Sequence, residues 1–583
     1  MKSWHGLLGP VCFFLLWTTH HVQAASPFIV PWSDKSYGPN GPWRAVTIYV
    51  GSEKQQIDVF PGARWASTIL TSSLCANTTL SETCSAEDAG VFDVDASTSA
   101  INATDAGGWT SWEWDVTGGA YFNYVSDTIT LPGGPDVRNV SITAMQQAYQ
   151  TYPDGENYPV SVGTLSLGAP ATHFRQGRYA MNYITRAMYT SSSIPGENIP
   201  SYSYGMHIGS PALDIPGSLL LGGYDRNRVL GDVTSQAFVP DAGGRNGGAL
   251  SIKLKDVSIG VDEGGSPFNF NSTTKPGLLA QGNSSMPSSG PEIEVNPLRP
   301  YIYLPQSSCD AITAELPVTY EDRLGLYLWN TSDERYARIV SSPSYLAFTF
   351  EKNTNNQQTL DIKVPFALLN LTLEDPLVDT PTPYFPLFPR DNTPLLGKAF
   401  LQAAFVGVNW GQGSGSGSWF LAQAPGPGLT STPAMTSIDP AAGSIDGSAS
   451  SWQHSWDGYL TPLPNGTDSA ADGGDLSTGA KAGIGVGAGV GGIAILAALG
   501  WVFFLRRRRA AARKEMSVVT SPPYSPGIVS EVEAPSSMGQ TVSSLGQPVS
   551  TWQDAEAKSV QKAPKTPVEV PGDQPAQGPH ELG

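Results

Sequence analysis

From Trp43 to Gln423 one pattern recurs: short runs in which apolar and polar residues alternate, each closed by Gly, Pro, Asn or Asp. Arg44–Gly51 (RAVTIYVG), Ser126–Gly133 (SDTITLPG), Gly248–Gly260 (GALSIKLKDVSIG) and Ser344–Asn353 (SYLAFTFEKN) are examples. A period of two sends alternate side chains to one face and predicts half-buried strands. Long amphipathic helical stretches are missing, and Cys309–Pro317 (CDAITAELP) is one of a few short candidates. The pattern predicts an all-β body too large for a single sandwich, hence two β lobes, 25–238 and 239–424.

Outside that body the pattern changes. Residues 425–481 are rich in Ser, Gly, Pro, Asp and Ala with few large apolar side chains, which predicts a flexible stalk. Ala482–Leu505 carries no charge and is long enough to cross a hydrocarbon core of about 30 Å as a helix. Arg506–Arg509, Arg513 and Lys514 follow at once, which puts the C-terminus in the cytoplasm. Gly483, Gly487 and Gly491 recur every four residues, so one helix face lets a second backbone approach and predicts a homodimer through the span. Residues 506–583 read as a disordered tail, and the Ser-Pro steps of Ser521–Pro526 (SPPYSP) follow from its composition. At the other end, Lys2, an apolar run and Val22-Gln23-Ala24 make residues 1–24 a signal peptide. The expectation is a type I single-pass membrane protein.

Composition sharpens this. The chain has 583 residues, a net charge of −18, 63 Gly and 48 Pro against 33 Lys+Arg, which suits a turn-rich β protein. A strongly acidic chain repels phosphate backbones, so nucleic acid is excluded as a partner. Eight N-x-S/T sequons predict glycosylation at Asn77, Asn102, Asn139, Asn271, Asn283, Asn330, Asn370 and Asn465, all before the membrane segment. No asparagine follows Leu505. With Cys12 in the signal peptide, Cys75 and Cys84 bracket a short polar loop and are expected to pair, leaving Cys309 as a buried thiol. His173, His207 and His454 lack metal-ligand spacing, and there is no G-x-S-x-G elbow or P-loop, so neither metal nor cofactor is predicted.

Several stretches share the order of a known family. They are Trp43–Val59 (WRAVTIYVGSEKQQIDV), Leu219–Asp225 (LLLGGYD), Glu292–Ile312 (EIEVNPLRPYIYLPQSSCDAI) and Pro394–Trp410 (PLLGKAFLQAAFVGVNW). Together they resemble the opening hairpin, first-lobe end, second active-site loop and closing motif of pepsin-like aspartic peptidases. The resemblance implies a bilobal fold with an inter-lobe cleft, and it places Cys75–Cys84 at the family's first small disulfide loop. In that family two carboxylates share one proton; one activates water while the other donates to the substrate carbonyl.

This chain contains neither Asp-Thr-Gly nor Asp-Ser-Gly. The first position falls on Pro61 in Val59–Ser67 (VFPGARWAS) and the second on Asn296. Proline cannot ionise, and asparagine keeps the shape of an aspartate without its basicity. Asp58 lies within the preceding strand, and Trp114 or Asp115 stands where the flap tyrosine belongs. The resemblance therefore implies a pseudo-enzyme whose cleft can still hold an extended peptide. The Ser/Gly stalk, Gly-rich span and basic stop also resemble fungal cell-surface sensors. A receptor for an extracellular peptide, protein or wall polymer is the expectation, at the cell surface or on a vacuolar or endosomal membrane. A membrane-anchored aspartic endopeptidase and a glycosylated structural surface protein stay open as alternatives.

Overall fold

In a computed structural model the described residues are 25–465, apart from 77–83, 104–107, 111–117, 177, 191–197, 241–245, 271, 281–289, 354–357, 392–393, 412–416 and 430–431. These residues are mostly strand, as the alternation predicts. Trp43–Val50 shows why: Trp43, Ala45, Val46, Ile48 and Val50 are buried while the residues between them are half exposed. Gln306–Thr313 forms the expected short helix, with Cys309 and Ile312 on its buried side.

The first half is built on a ten-stranded sheet and the second on an eight-stranded and a four-stranded sheet, among the described residues. A six-stranded sheet joins them. Its order is Phe28–Ile29, Ser218–Leu221, Ser203–His207, Ala404–Asn409, Ser418–Gln423 and Leu230–Ala237. The division at residue 238 is therefore not clean, because two late strands insert between two early ones.

Each half repeats one local arrangement. Gln55–Ala63 runs parallel to Gly163–Ser166, which pairs antiparallel with Ser67–Leu70. Likewise Glu292–Val295 runs parallel to Leu395–Leu396, which pairs antiparallel with Ile302–Leu304. Of the two stretches singled out in the sequence, Asn296 lies in the turn after Glu292–Val295, whereas Pro61 and Gly62 lie within the strand Gln55–Ala63, whose turn begins at Arg64.

The stalk expected from residue 425 begins later. Met435–Ser437 pairs with Gly223–Asp225, and Ser448 donates its N–H to Val229 O at 2.7 Å. The helix Trp452–Trp456 buries both tryptophans, and Gly265 N–H reaches Leu463 O at 2.7 Å. The segment thus straps both halves. Its composition misleads because a few spaced side chains (Ile438, Trp452 and Trp456) do the burying, and backbone groups make most of the hydrogen bonds.

Cys75 and Cys84 form a disulfide, and Cys309 is buried and unbridged. Burial pushes the Cys309 thiol far above its ordinary value, with Asp310 adding to the effect. Replacing Cys75 and Cys84 together with serine is expected to lower unfolding free energy by about 2–3 kcal/mol, the loop-closure value for a short loop. A urea midpoint that does not move would show that the bridge adds nothing.

Candidate functional site

The two loops face each other across the halves. Gly62 has φ +117, and a Cβ placed there would lie 2.3 Å from Pro297 Cγ. Only glycine permits this backbone and this approach. Pro61 sits buried opposite Leu165 in the parallel pairing. Asn296 turns its Oδ1 back to accept the Leu298 N–H at 3.0 Å, which caps its own loop. The void between the loops, lined by Gly62, Tyr204, Asn296, Pro297 and Trp410 among others, measures about 10 Å³. That is the lower limit for one water molecule.

Asp58, three residues before Pro61, is engaged in a cluster of its own. Its carboxylate is buried and accepts from Thr47 Oγ1 at 2.6 Å, Ser33 Oγ at 2.5 Å and Tyr37 OH at 2.6 Å. Burial, and then the Asp58 carboxylate, push the Tyr37 phenol well above its ordinary value, so it stays a donor. This cluster ties the strand Trp32–Tyr37 to Trp43–Val50 and Gln55–Ala63 of the ten-stranded sheet.

Charges bridge the loops instead. Arg64 Nη2 meets Glu294 Oε1 at 3.1 Å, and Arg64 Nη1 donates to Gly247 O at 3.2 Å. Lys398 Nζ lies 3.7 Å from the centroid of the Phe60 ring and donates to Leu298 O at 3.2 Å. Beside them lies a cavity of about 90 Å³ walled by Trp43, Phe60, Tyr152, Tyr158, Leu298 and Lys398. It shares Gly38, Pro39, Pro159 and Ser161 with a wider hollow of about 430 Å³ that reaches Asn370 and Glu374.

Hydrogen bonds behind the cavity fasten the halves together. Tyr152 OH and Tyr301 OH are 2.8 Å apart, and Asn40 Nδ2 donates to Tyr301 OH at 3.2 Å. Trp43 Nε1 donates to Asn40 Oδ1 at 2.8 Å, and Tyr384 OH donates to Asn40 O. Complete burial pushes the Tyr301 and Tyr384 phenols far above their ordinary value, so both remain neutral. Such a satisfied network resists separation of the two halves.

Of the predicted modification sites, Asn102, Asn139, Asn330 and Asn465 are exposed and Asn370 is half-buried. Asn139 has a left-handed φ of 57 and donates Nδ2 to Ala180 O at 2.8 Å. Asn77, Asn271, Asn283, Trp114, Asp115, Gly483, Gly487, Gly491 and the span Ala482–Leu505 lie outside the described residues. Among the described residues no helix is long and apolar enough to cross a membrane.

Sequence reasoning missed Arg64–Glu294, Lys398 and the Asn40–Tyr301 network. Lys398 lay within a quoted motif, but nothing local marks partners separated by 230 or 261 positions. Between the loops the described residues place one carboxylate, Glu294, paired with Arg64, and a void of about 10 Å³. The neighbouring cavity and hollow offer more space, and a further hollow of about 450 Å³ lies at Gly51, Ser52, Lys54 and Asn139. No protein-family model and no curated protein sequence matches the chain.

Proposed function

We propose that this chain is a catalytically silent member of the pepsin-like fold, carried outside the cell by a single membrane span and acting as a receptor or sensor. The observation that carries the reading is the close approach of Gly62 to Pro297, beside Pro61 and Asn296, the positions where the resemblance puts the family's acids. The doubled three-strand arrangement supports the fold assignment. An enzyme without general base and general acid loses the proton transfers that activate water and release the amine. Recognition then falls to the cavity beside the loops, whose aromatic walls suit an apolar side chain of an extracellular peptide or protein, or the face of a wall polymer.

Full-length protein in detergent, incubated with a diverse peptide library from about pH 2.5 to 7, is expected to leave every peptide intact, since no carboxylate pair can share a proton. Cleavage abolished by a transition-state inhibitor of aspartic peptidases would overturn the reading and favour the membrane-anchored endopeptidase. Peptide and glycan arrays probed with the same protein test recognition. A blank on both would leave a glycosylated spacer.

A further inference from the structure

The hollow beside the candidate site carries a sequon within its own wall. Asn370, Leu371 and Thr372 all line it, where the chain enters the short strand Leu371–Leu373; Asn370 is half-buried and Leu371 buried. Asn370 Oδ1 accepts from Tyr336 OH at 3.1 Å, which aims the amide group. The remaining wall is made of flat prolines, Tyr37 and acceptors such as Glu374. Its volume of about 430 Å³ falls in the ~300–1,000 Å³ range that encloses a drug-sized molecule, enough for one or two sugar rings.

N-glycans are attached to the chain before it folds, so a half-buried asparagine is no obstacle to attachment; the fold must house what was attached. We infer that the glycan on Asn370 seats its first sugars in this hollow and covers the side entrance to the aromatic cavity. The ring faces meet the prolines and Tyr37, and the hydroxyls meet the acidic rim. Among the other described sequons, Asn139 also borders a hollow, of about 450 Å³, but is itself exposed and donates Nδ2 to Ala180 O at 2.8 Å, and Asn330 caps its own exposed turn, where its Oδ1 accepts the Ser332 N–H at 3.2 Å. The inference rests on the extracellular placement proposed above, and it makes ligand access depend on how the protein is glycosylated.

The test uses full-length protein from cells that attach N-glycans. A peptide-N-glycosidase is applied to the native protein and, in parallel, to denatured protein, with release followed site by site by mass spectrometry. The Asn370 glycan should leave the native protein at least about tenfold more slowly than those at Asn102 and Asn330, because cleavage there waits for local opening. After denaturation the rates should converge. Thr372→Ala removes the sequon while keeping the Asn370–Tyr336 contact, and should raise hydrogen exchange in residues 36–42. Glycans at the exposed sites with none on Asn370, equal native release, or unchanged exchange in Thr372→Ala overturns the inference alone. Absence of glycan from every site overturns the extracellular reading together with it.

Discussion

Replacing Asp225 with alanine is expected to destabilise the folded body by about 3–5 kcal/mol, the cost of leaving a buried charge without its partner. Arg228 is 4% exposed and Asp225 3%, with Arg228 Nε 3.5 Å from Asp225 Oδ2. Burial pulls the Arg228 guanidinium below its ordinary value, and the Asp225 charge works against that. The same carboxylate accepts the N–H groups of Asn227 at 3.0 Å and Ala434 at 2.8 Å, so its loss also loosens the strap. Chemical denaturation followed by tryptophan fluorescence measures the change. Removing both charges with Asp225→Ala and Arg228→Met should recover much of the loss, since no ion is then stranded. A single variant within about 1 kcal/mol of the parent would show that water or another group already satisfies Arg228.

Acid is expected to weaken the fold before most carboxylates titrate, and His207 is the cause. Its ring is completely buried in Ser203–His207, with Nε2 2.9 Å from Gln402 O and no partner for Nδ1. Burial first, and then the Arg228 charge, pull its pKa from 6.5 down to about 3, with the Gln402 carbonyl acting weakly in the other direction. The folded protein therefore holds the ring neutral while the unfolded chain protonates it below 6.5. The stabilisation is complete above 6.5 and is lost progressively as pH falls to about 3. At about 1.4 kcal/mol for each tenfold change, the total approaches roughly 5 kcal/mol. Unfolding free energies measured between about pH 7 and 5 isolate this group, because ordinary carboxylates titrate lower. His207→Gln should flatten the dependence; an unchanged slope would assign the acid sensitivity elsewhere.

These two residues show what could and could not be read along the chain. The strands were legible because their alternation is local: Trp43–Val50 reports burial in its own residue order, while Ser344–Phe348, which alternates less strictly in burial, is buried on both faces. The two loops were legible only through their resemblance to a family, since Gly62 and Pro297 come together from distant stretches of the chain. Arg228 and His207 were not legible. Each looks like an ordinary polar residue near a turn, and only the inserted strand Ala404–Asn409 and the returning strap seal them from water. Asn40, Tyr152, Tyr301 and Tyr384 form one network from four distant stretches, so no window of sequence contains it. The strap was hidden for a further reason, because averaging composition over Gly, Ser and Asp dilutes a few decisive tryptophans.

The strap also decides where the chain can be cut. Ending it at 424, after the last strand of the six-stranded sheet, would strip Ile438 from Tyr224, Val229 and Phe405. It would also remove Trp452 from Tyr345 and Lys363, whose amine lies 5.0 Å from the Trp452 ring centroid. Bare apolar patches and unpaired strand edges of that kind invite aggregation. A version that stops there should accumulate as insoluble protein, whereas one ending at Asn465 keeps every described contact of the strap.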